Sequence, residues 1–269
     1  MRRGYLFCIF AALFSAQVHA ASQLKTLQTG DESRAWHAVG RLNFGSVSFC
    51  TGALIAEDLV LTAAHCMFDP DTGQRLDDGQ IEFLADWRGG RASAYRSVRR
   101  SIIHPSFTYS SDNFVSRVAH DVAILELDTP IRNGTIVPFD TATTAHTGDE
   151  VGVVSYAIDR ADAPSLQEVC HVLDQRGGSL VLSCDVDFGS SGAPIFVIEN
   201  GIPKIVSVVS AKAEMGGTPV ALGMTLANPL SELMALRNSS ASAFSRTQTV
   251  AGAVTDTDSS GSGAKFVRP

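Results

Sequence analysis

The sequence predicts an all-β fold of barrel or sandwich type. Short β-rich runs recur along most of the chain with turn residues between them. Helical periodicity stays weak until Pro229, and a connector from Asp128 to Pro138, with two prolines and Asn133-Gly134, divides the runs into two series. In the first series, Val39 to Phe44 and Val47 to Ile55 flank Gly45-Ser46, which has the composition of a hairpin turn. Leu59-Val60-Leu61, Ile81 to Leu84, Tyr95 to Ile103 and Val122 to Leu127 follow. The second series comprises Val151 to Tyr156, Val169 to Leu173, Leu180 to Cys184, Pro194 to Ile198, Ile205 to Val209 and Val220 to Leu226. Asn200-Gly201, between two of these, is a strong hairpin signal. From Pro229 to Leu236 the apolar residues Leu230, Leu233, Met234 and Leu236 share one helical face and predict a short C-terminal helix. Residues 238–269, rich in Ser, Gly, Ala and Thr, read as a flexible tail.

Composition narrows the function classes. The 269 residues suffice for one large or two compact domains, and 45% hydrophobic against 18% charged residues supports a packed core and excludes wholesale disorder. A net charge of −7 argues against a nucleic-acid binder relying on a basic surface. No apolar run reaches the roughly 20 residues of a membrane-spanning helix, so no stable membrane anchor is expected.

Residues 1–20 have the layout of a secretory signal peptide. Arg2 and Arg3 precede an apolar stretch from Tyr5 to about Ala16, and Val18-His19-Ala20 places small residues for a cut after Ala20. The expected location is secreted or periplasmic. Cys8 would leave with the leader, and Cys50, Cys66, Cys170 and Cys184 remain, an even number suited to an oxidising compartment. Three pairings are open. The local one, Cys50 with Cys66 and Cys170 with Cys184, closes two loops of about 15 residues, each worth about 3 kcal/mol if unstrained. A zinc site fails on spacing, because neither Cys-x₂₋₄-Cys nor His-Glu-x-x-His occurs.

Three residue types can assemble an activated nucleophile. Ser191 lies in Gly189-Ser190-Ser191-Gly192-Ala193-Pro194, where small residues allow a tight turn and close approach of a substrate carbonyl. A serine hydroxyl needs a base and donors for the developing oxyanion. In such a turn the amides of Gly189 and Ser191 can converge on one point. His65, after an apolar strand and beside Cys66, is the candidate base. Asp121, opening Val122-Ala123-Ile124-Leu125, is the candidate orienting acid. Every histidine precedes Ser191. That excludes the α/β-hydrolase order, and Ala193 breaks that fold's Gly-x-Ser-x-Gly elbow. The order His, Asp, Ser is the one used on the double β-barrel scaffold.

Four blocks, Phe49-Cys50-Thr51-Gly52-Ala53-Leu54-Ile55, Val60-Leu61-Thr62-Ala63-Ala64-His65-Cys66, His120-Asp121-Val122-Ala123-Ile124-Leu125 and Gly189-Ser190-Ser191-Gly192-Ala193-Pro194, occur in that order. Over about residues 35–236 the chain thereby resembles the trypsin-like (chymotrypsin-fold) serine endopeptidases, most of all their bacterial secreted branch. The resemblance implies two six-stranded antiparallel β-barrels, an N-terminal one over 35–130 and a C-terminal one plus helix over 131–237. It implies His65 as general base, Asp121 as its orienter, Ser191 as nucleophile and the Gly189 and Ser191 amides as oxyanion hole. The Cys50–Cys66 bridge matches it. Polypeptide substrates, a monomer, and chemistry without metal or organic cofactor are the corresponding expectations.

Departures from the family pattern qualify this picture. Ser190 stands where animal trypsins carry an Asp that pairs with a new N-terminus, and no Ile-Val-Gly-Gly-like start follows a basic residue. The oxyanion loop is therefore expected to order without insertion of a terminus, while a cut near Arg34 would remove residues 21–34 as a propeptide. For specificity, Asp185 lies six residues before Ser191, the offset of the trypsin acid that attracts Arg or Lys at P1, the residue before the scissile bond. Ser207-Val208-Val209 is expected as one pocket wall, narrowed by Val209, and Gly223 as the other. Val206 stands where glutamate-specific relatives carry His, which reads against acidic P1. Asp69, Asp71, Asp77 and Asp78 fail the EF-hand spacing and read as a solvated turn. The rival to the endopeptidase reading is a catalytically silent binding module on the same fold.

Overall fold

The computed structural model describes residues 21–45, 48–142 and 144–251, with side chains of the last helix described to Ser239. The signal-peptide reading of residues 1–20 and the end of the tail, 252–269, lie outside the described residues, as do Ser46 and Val47 at the first hairpin turn.

A two-residue strand, β1 (Lys25–Thr26), precedes the first barrel. That barrel is built from β2 (Val39–Phe44), β3 (Ser48–Ala56), β4 (Leu59–Thr62), β5 (Ile81–Ala85), β6 (Ala94–Ile103) and β7 (Ala123–Leu127), closed in the order β2-β3-β4-β7-β6-β5. A short helix, α1 (Phe114–Ala119), sits just before β7. After the connector, β8 (Asp140–Thr141) leads to β9 (Glu150–Ser155), β10 (Ser165–Arg176), β11 (Ser179–Leu182), β12 (Pro194–Glu199), β13 (Ile202–Met215) and β14 (Thr218–Met224). Antiparallel pairing runs β9-β10-β11-β14-β13-β12 and returns to β9, closing a second six-stranded barrel; β1 and β8 add to its edges. The strand runs read from the sequence thus fold as two antiparallel barrels.

Local chemistry explains the elements. β4 reads Leu-Val-Leu-Thr and is wholly buried, and alternate residues of β2 point into the first core. Each such aliphatic side chain contributes about 1.5–3 kcal/mol on burial. Asn200 (φ 53°) and Gly201 (φ 80°) make the two-residue turn between β12 and β13. Trp36, Phe139 and Phe196 pack together, with ring centroids 4.7–6.2 Å apart, joining the segment before the first barrel to a strand of the second. Both local disulfides are present, Cys50–Cys66 and Cys170–Cys184.

The C-terminal helix, α2 (Ala227–Ala251), extends beyond the expected Pro229–Leu236, so the part of the tail from 238 to 251 is helical. Leu230 and Leu233 are buried, and Arg237 bonds to Glu126 of β7 and to Asp58, fastening α2 to the first barrel. No helix among the described residues is long and apolar enough to cross a membrane.

The segment 21–34, read from the sequence as a propeptide, packs against the rest of the fold. β1 pairs with β10, Leu27 is 1% exposed, and Ser33 donates to Asp86.

Candidate active site

Chain geometry brings His65, Asp121 and Ser191 to one cleft between the barrels. β4 ends at Thr62, and the 3₁₀ turn Ala64–Met67 that follows carries His65. The Cys50–Cys66 bridge anchors this turn to β3. Asp121 lies between α1 and β7, so the antiparallel pair β4–β7 sets the imidazole beside the carboxylate. Ser191 occupies the turn before β12 in the second barrel. His65 and Ser191 both line a cavity of about 640 Å³.

Asp121, only 2% exposed, accepts three hydrogen bonds. The His65 amide donates at 2.8 Å, His65 Nδ1 lies 2.7 Å from Oδ2, and Ser210 Oγ donates to the same oxygen. A carboxylate at Nδ1 keeps the proton there, so the lone pair of the neutral ring is on Nε2. Burial by itself lowers the His65 pKa, and the Arg117 charge lowers it further. The charge of Asp121 and its hydrogen bond outweigh both, so the value is raised above the ordinary 6.5. His65 and Ser191 line the same cleft without a direct hydrogen bond between them.

The nucleophile loop is tied to the first barrel through Thr51, whose role no local sequence pattern announces. Its amide donates to the Ser191 carbonyl at 2.9 Å, its hydroxyl donates to the Gly189 carbonyl at 2.9 Å, and its own carbonyl accepts from Thr62 Oγ1 at 2.8 Å. With the Gly189 carbonyl engaged there, the amides of Gly189 and Ser191 donate to no protein acceptor among the described residues. The loop needs its glycines. At Gly189 (φ 95°) an added Cβ would meet the Phe49 ring at 2.4 Å, and at Gly192 (φ 77°) the Thr62 hydroxyl at 2.0 Å. Ser190 is buried in a neutral network. Its Oγ lies 3.2 Å from Ser155 Oγ and from the Tyr156 carbonyl, and accepts from the Asp187 amide.

The expected specificity residues fare differently. Val209 lines the cleft, but Ser207 is fully buried inside the second barrel, and the Cβ position of Gly223 faces its hydroxyl. The wall serine is instead Ser210, followed by Ala211 and Lys212 along the same cleft. A register shift in the β13–β14 ladder between Val209 and Ala211 is the physical reason: a bulge re-aims the side chains that simple alternation would place. Ser210 differs from Ser207 both in lining the cleft and in its contact to Asp121. Asp185 is exposed and lines a small pocket that adjoins the cleft, sharing Val186 and Lys212 with it, but is not itself among the residues lining the cleft.

Helix α1 was not foreseen, because its six residues are too few to show a period. Asn113 caps it, accepting from the Ser116 amide at 3.1 Å. It brings Arg117 to the cleft wall with Phe114, over whose ring the guanidinium lies at 5.3 Å. No carboxylate among the described residues pairs with Arg117, whereas Lys212 lies 3.6 Å from Asp187. Asp69 and Asp77 accept backbone N–H bonds within their own turns, and Asp78 accepts from the Ser101 amide.

Comparisons place this geometry among known proteins. The chain is similar to the glutamyl endopeptidase of Bacillus licheniformis, 24% identical over 186 residues, which are 69% of this chain and 56% of that protein. It is also similar to coagulation factor IX of Cavia porcellus, 28% identical over 107 residues, 39% of this chain and 35% of that protein. Serine protease 23 of Bos taurus is 27% identical over 164 residues, 55% and 43% of the two chains. The chain thus spans about half or less of the length of these curated relatives. A solved structure of a Glu endopeptidase in complex with MPD superposes with a TM-score of 0.66 at 18% identity, covering 82% of this chain and 98% of that one, and so shares the fold. The family model described as Trypsin matches residues 28–225, well over half of the sequence, and with the double barrel around the cleft it shows that the chain belongs to the trypsin family.

Proposed function

We propose that the chain is a secreted serine endopeptidase that cleaves peptide bonds through an acyl-enzyme. The observation that carries this reading is the His65–Asp121 pair, held by two hydrogen bonds, in one cleft with Ser191 and two unengaged amides. Ser191 Oγ attacks the substrate carbonyl carbon while His65 Nε2 takes its proton, and the Gly189 and Ser191 amides hold the oxyanion. The C–N bond breaks as His65 returns the proton to the leaving amine, and water activated by the same imidazole releases the acid. Asp121 remains ionised and steadies the imidazolium. Secretion is supported by the leader-like residues 1–20 and by the two disulfides. A silent binding module would require a defective oxyanion loop, against which the neutral seat of Ser190 speaks.

A fluorophosphonate probe tests the reading. Covalent labelling at Ser191 is expected, with a rate that falls as the pH drops through the raised His65 pKa, because a protonated imidazole cannot accept the serine proton. The midpoint is expected above 6.5; failure to label at any pH would eliminate the nucleophile.

For specificity we infer an acidic rather than a basic substrate residue next to the scissile bond, recognised through Arg117 and not through a His before the wall serine, since Val209 precedes Ser210. Asp185 does not line the cleft, Arg117 does, and among the described residues no carboxylate pairs with Arg117. The name of the Bacillus relative, a glutamyl endopeptidase, supports the same charge. Peptide-library profiling is expected to show Asp or Glu enriched at one position. Arg117→Gln should reduce that preference roughly 10- to 100-fold, the worth of a charge-assisted hydrogen bond. An identical profile in the variant would remove Arg117 from the specificity site.

A further inference from the structure

We infer that Gln167 is a positioning residue for the oxyanion loop, held by Ser22, and that the working enzyme therefore keeps residues 21–34. The inference rests on reading Ser191 as the nucleophile and the Gly189 amide as an oxyanion donor.

The register of β10 against β9 shifts between Gln167 and Cys170, leaving the backbone of Val169 out of the ladder. Ser22 fills that gap. Its amide donates to the Val169 carbonyl at 2.7 Å and its Oγ accepts from the Val169 amide at 2.8 Å. The Ser22 carbonyl in turn accepts from Gln167 Nε2 at 2.9 Å. The other end of that amide, Oε1, accepts from the Asp185 amide at 2.7 Å. Gln167 is 3% exposed, so its amide is buried while its partners Ser22 and Asp185 lie nearer the surface. Asp185 opens the stretch that runs through Asp187 and Phe188 to Gly189, and the adjacent Cys184 is bridged to Cys170 of the same strand. One buried amide therefore links the chain at Ser22 to the base of the loop whose N–H groups face the cleft. This arrangement does for the loop, from inside a continuous chain, what a salt-linked new terminus could not do beside the neutral Ser190.

The test is a double-variant cycle on the secreted chain. One form begins at Leu24 instead of Ala21 and so lacks Ser22; the other carries Gln167→Leu. Each is expected to lower kcat on the order of tenfold, less than the 10²–10³ of losing an oxyanion donor outright. The acid limb set by His65 should stay in place, and the combined form should be no slower than the worse single one. Gln167→Glu keeps an acceptor for the Asp185 amide but loses the donor to Ser22, and its kcat should fall between wild type and Gln167→Leu; this conservative form is decisive if the truncated chain does not fold. Unchanged kcat, or losses that multiply, would overturn the inference, as would a fully active natural enzyme beginning at Ala35. Fluorophosphonate labelling of the intact chain is read first. No labelling sinks the endopeptidase reading and this inference with it, whereas labelling with equal kcat in all forms sinks the inference alone.

Discussion

Replacing Ser191 by Ala is expected to reduce peptide turnover on the order of 10⁵–10⁶-fold, because in the proposed mechanism the hydroxyl, the imidazole and the carboxylate act as one unit and removal of the nucleophile leaves the other two without a task. Residual catalysis would come from the Gly189 and Ser191 amides and from substrate binding, which alone retain about 10³–10⁴ over water. The fold should tolerate the change. The backbone of Ser191 is fixed by the Thr51 amide on its carbonyl, a bond that alanine keeps. Among the described residues its hydroxyl makes no hydrogen bond, so thermal stability should move by no more than about 0.5 kcal/mol. Steady-state assay of the purified variant checks the first expectation and a melting curve the second. Turnover within tenfold of wild type would mean that another group attacks. Ser190 is the nearest alternative, and its buried hydroxyl is already committed to Ser155, Tyr156 and Asp187.

Much of this site was legible in the sequence because its constraints are local. The strand runs were visible because each is a short apolar stretch bounded by turn residues, and β-pairing needs little else to close a barrel. His65, Asp121 and Ser191 each sit at the end of such a run, where side chains meet a cleft. What could not be read depends on register. Ser207 and Ser210 lie in the same strand with similar neighbours. Which of them reaches Asp121 depends on the pairing of β13, including the shift of its ladder with β14 beside Ser210, and that bulge has no residue signature here. Asp185 has the spacing of a specificity acid but follows Cys184, whose bridge to Cys170 and whose neighbouring bond to Gln167 turn the loop so that Asp185 does not line the cleft. Ser22 and Gln167 are 145 residues apart, and no local pattern announces a bond between them.

Asp121→Asn is expected to lower kcat by about 10⁴-fold while leaving the site's outline intact. The carboxylate offers acceptors to the His65 amide, to His65 Nδ1 and to Ser210. An asparagine of the same shape has one oxygen and one NH₂ group. The backbone amide of His65 can only donate, so it claims the oxygen, and the NH₂ group is left facing Nδ1. A donor there forces the ring proton onto Nε2, the atom that must accept from Ser191, and the base is lost through its tautomer rather than its position. The same substitution removes the charge that raises the His65 pKa. Burial and Arg117, which both lower it, then act unopposed, and the acid limb of the residual activity should move to lower pH than in the wild type. A pH–rate profile of the variant reads both effects at once. A large loss of kcat with an unmoved acid limb would mean that Asp121 only buttresses the loop, and unchanged kcat would remove it from the mechanism.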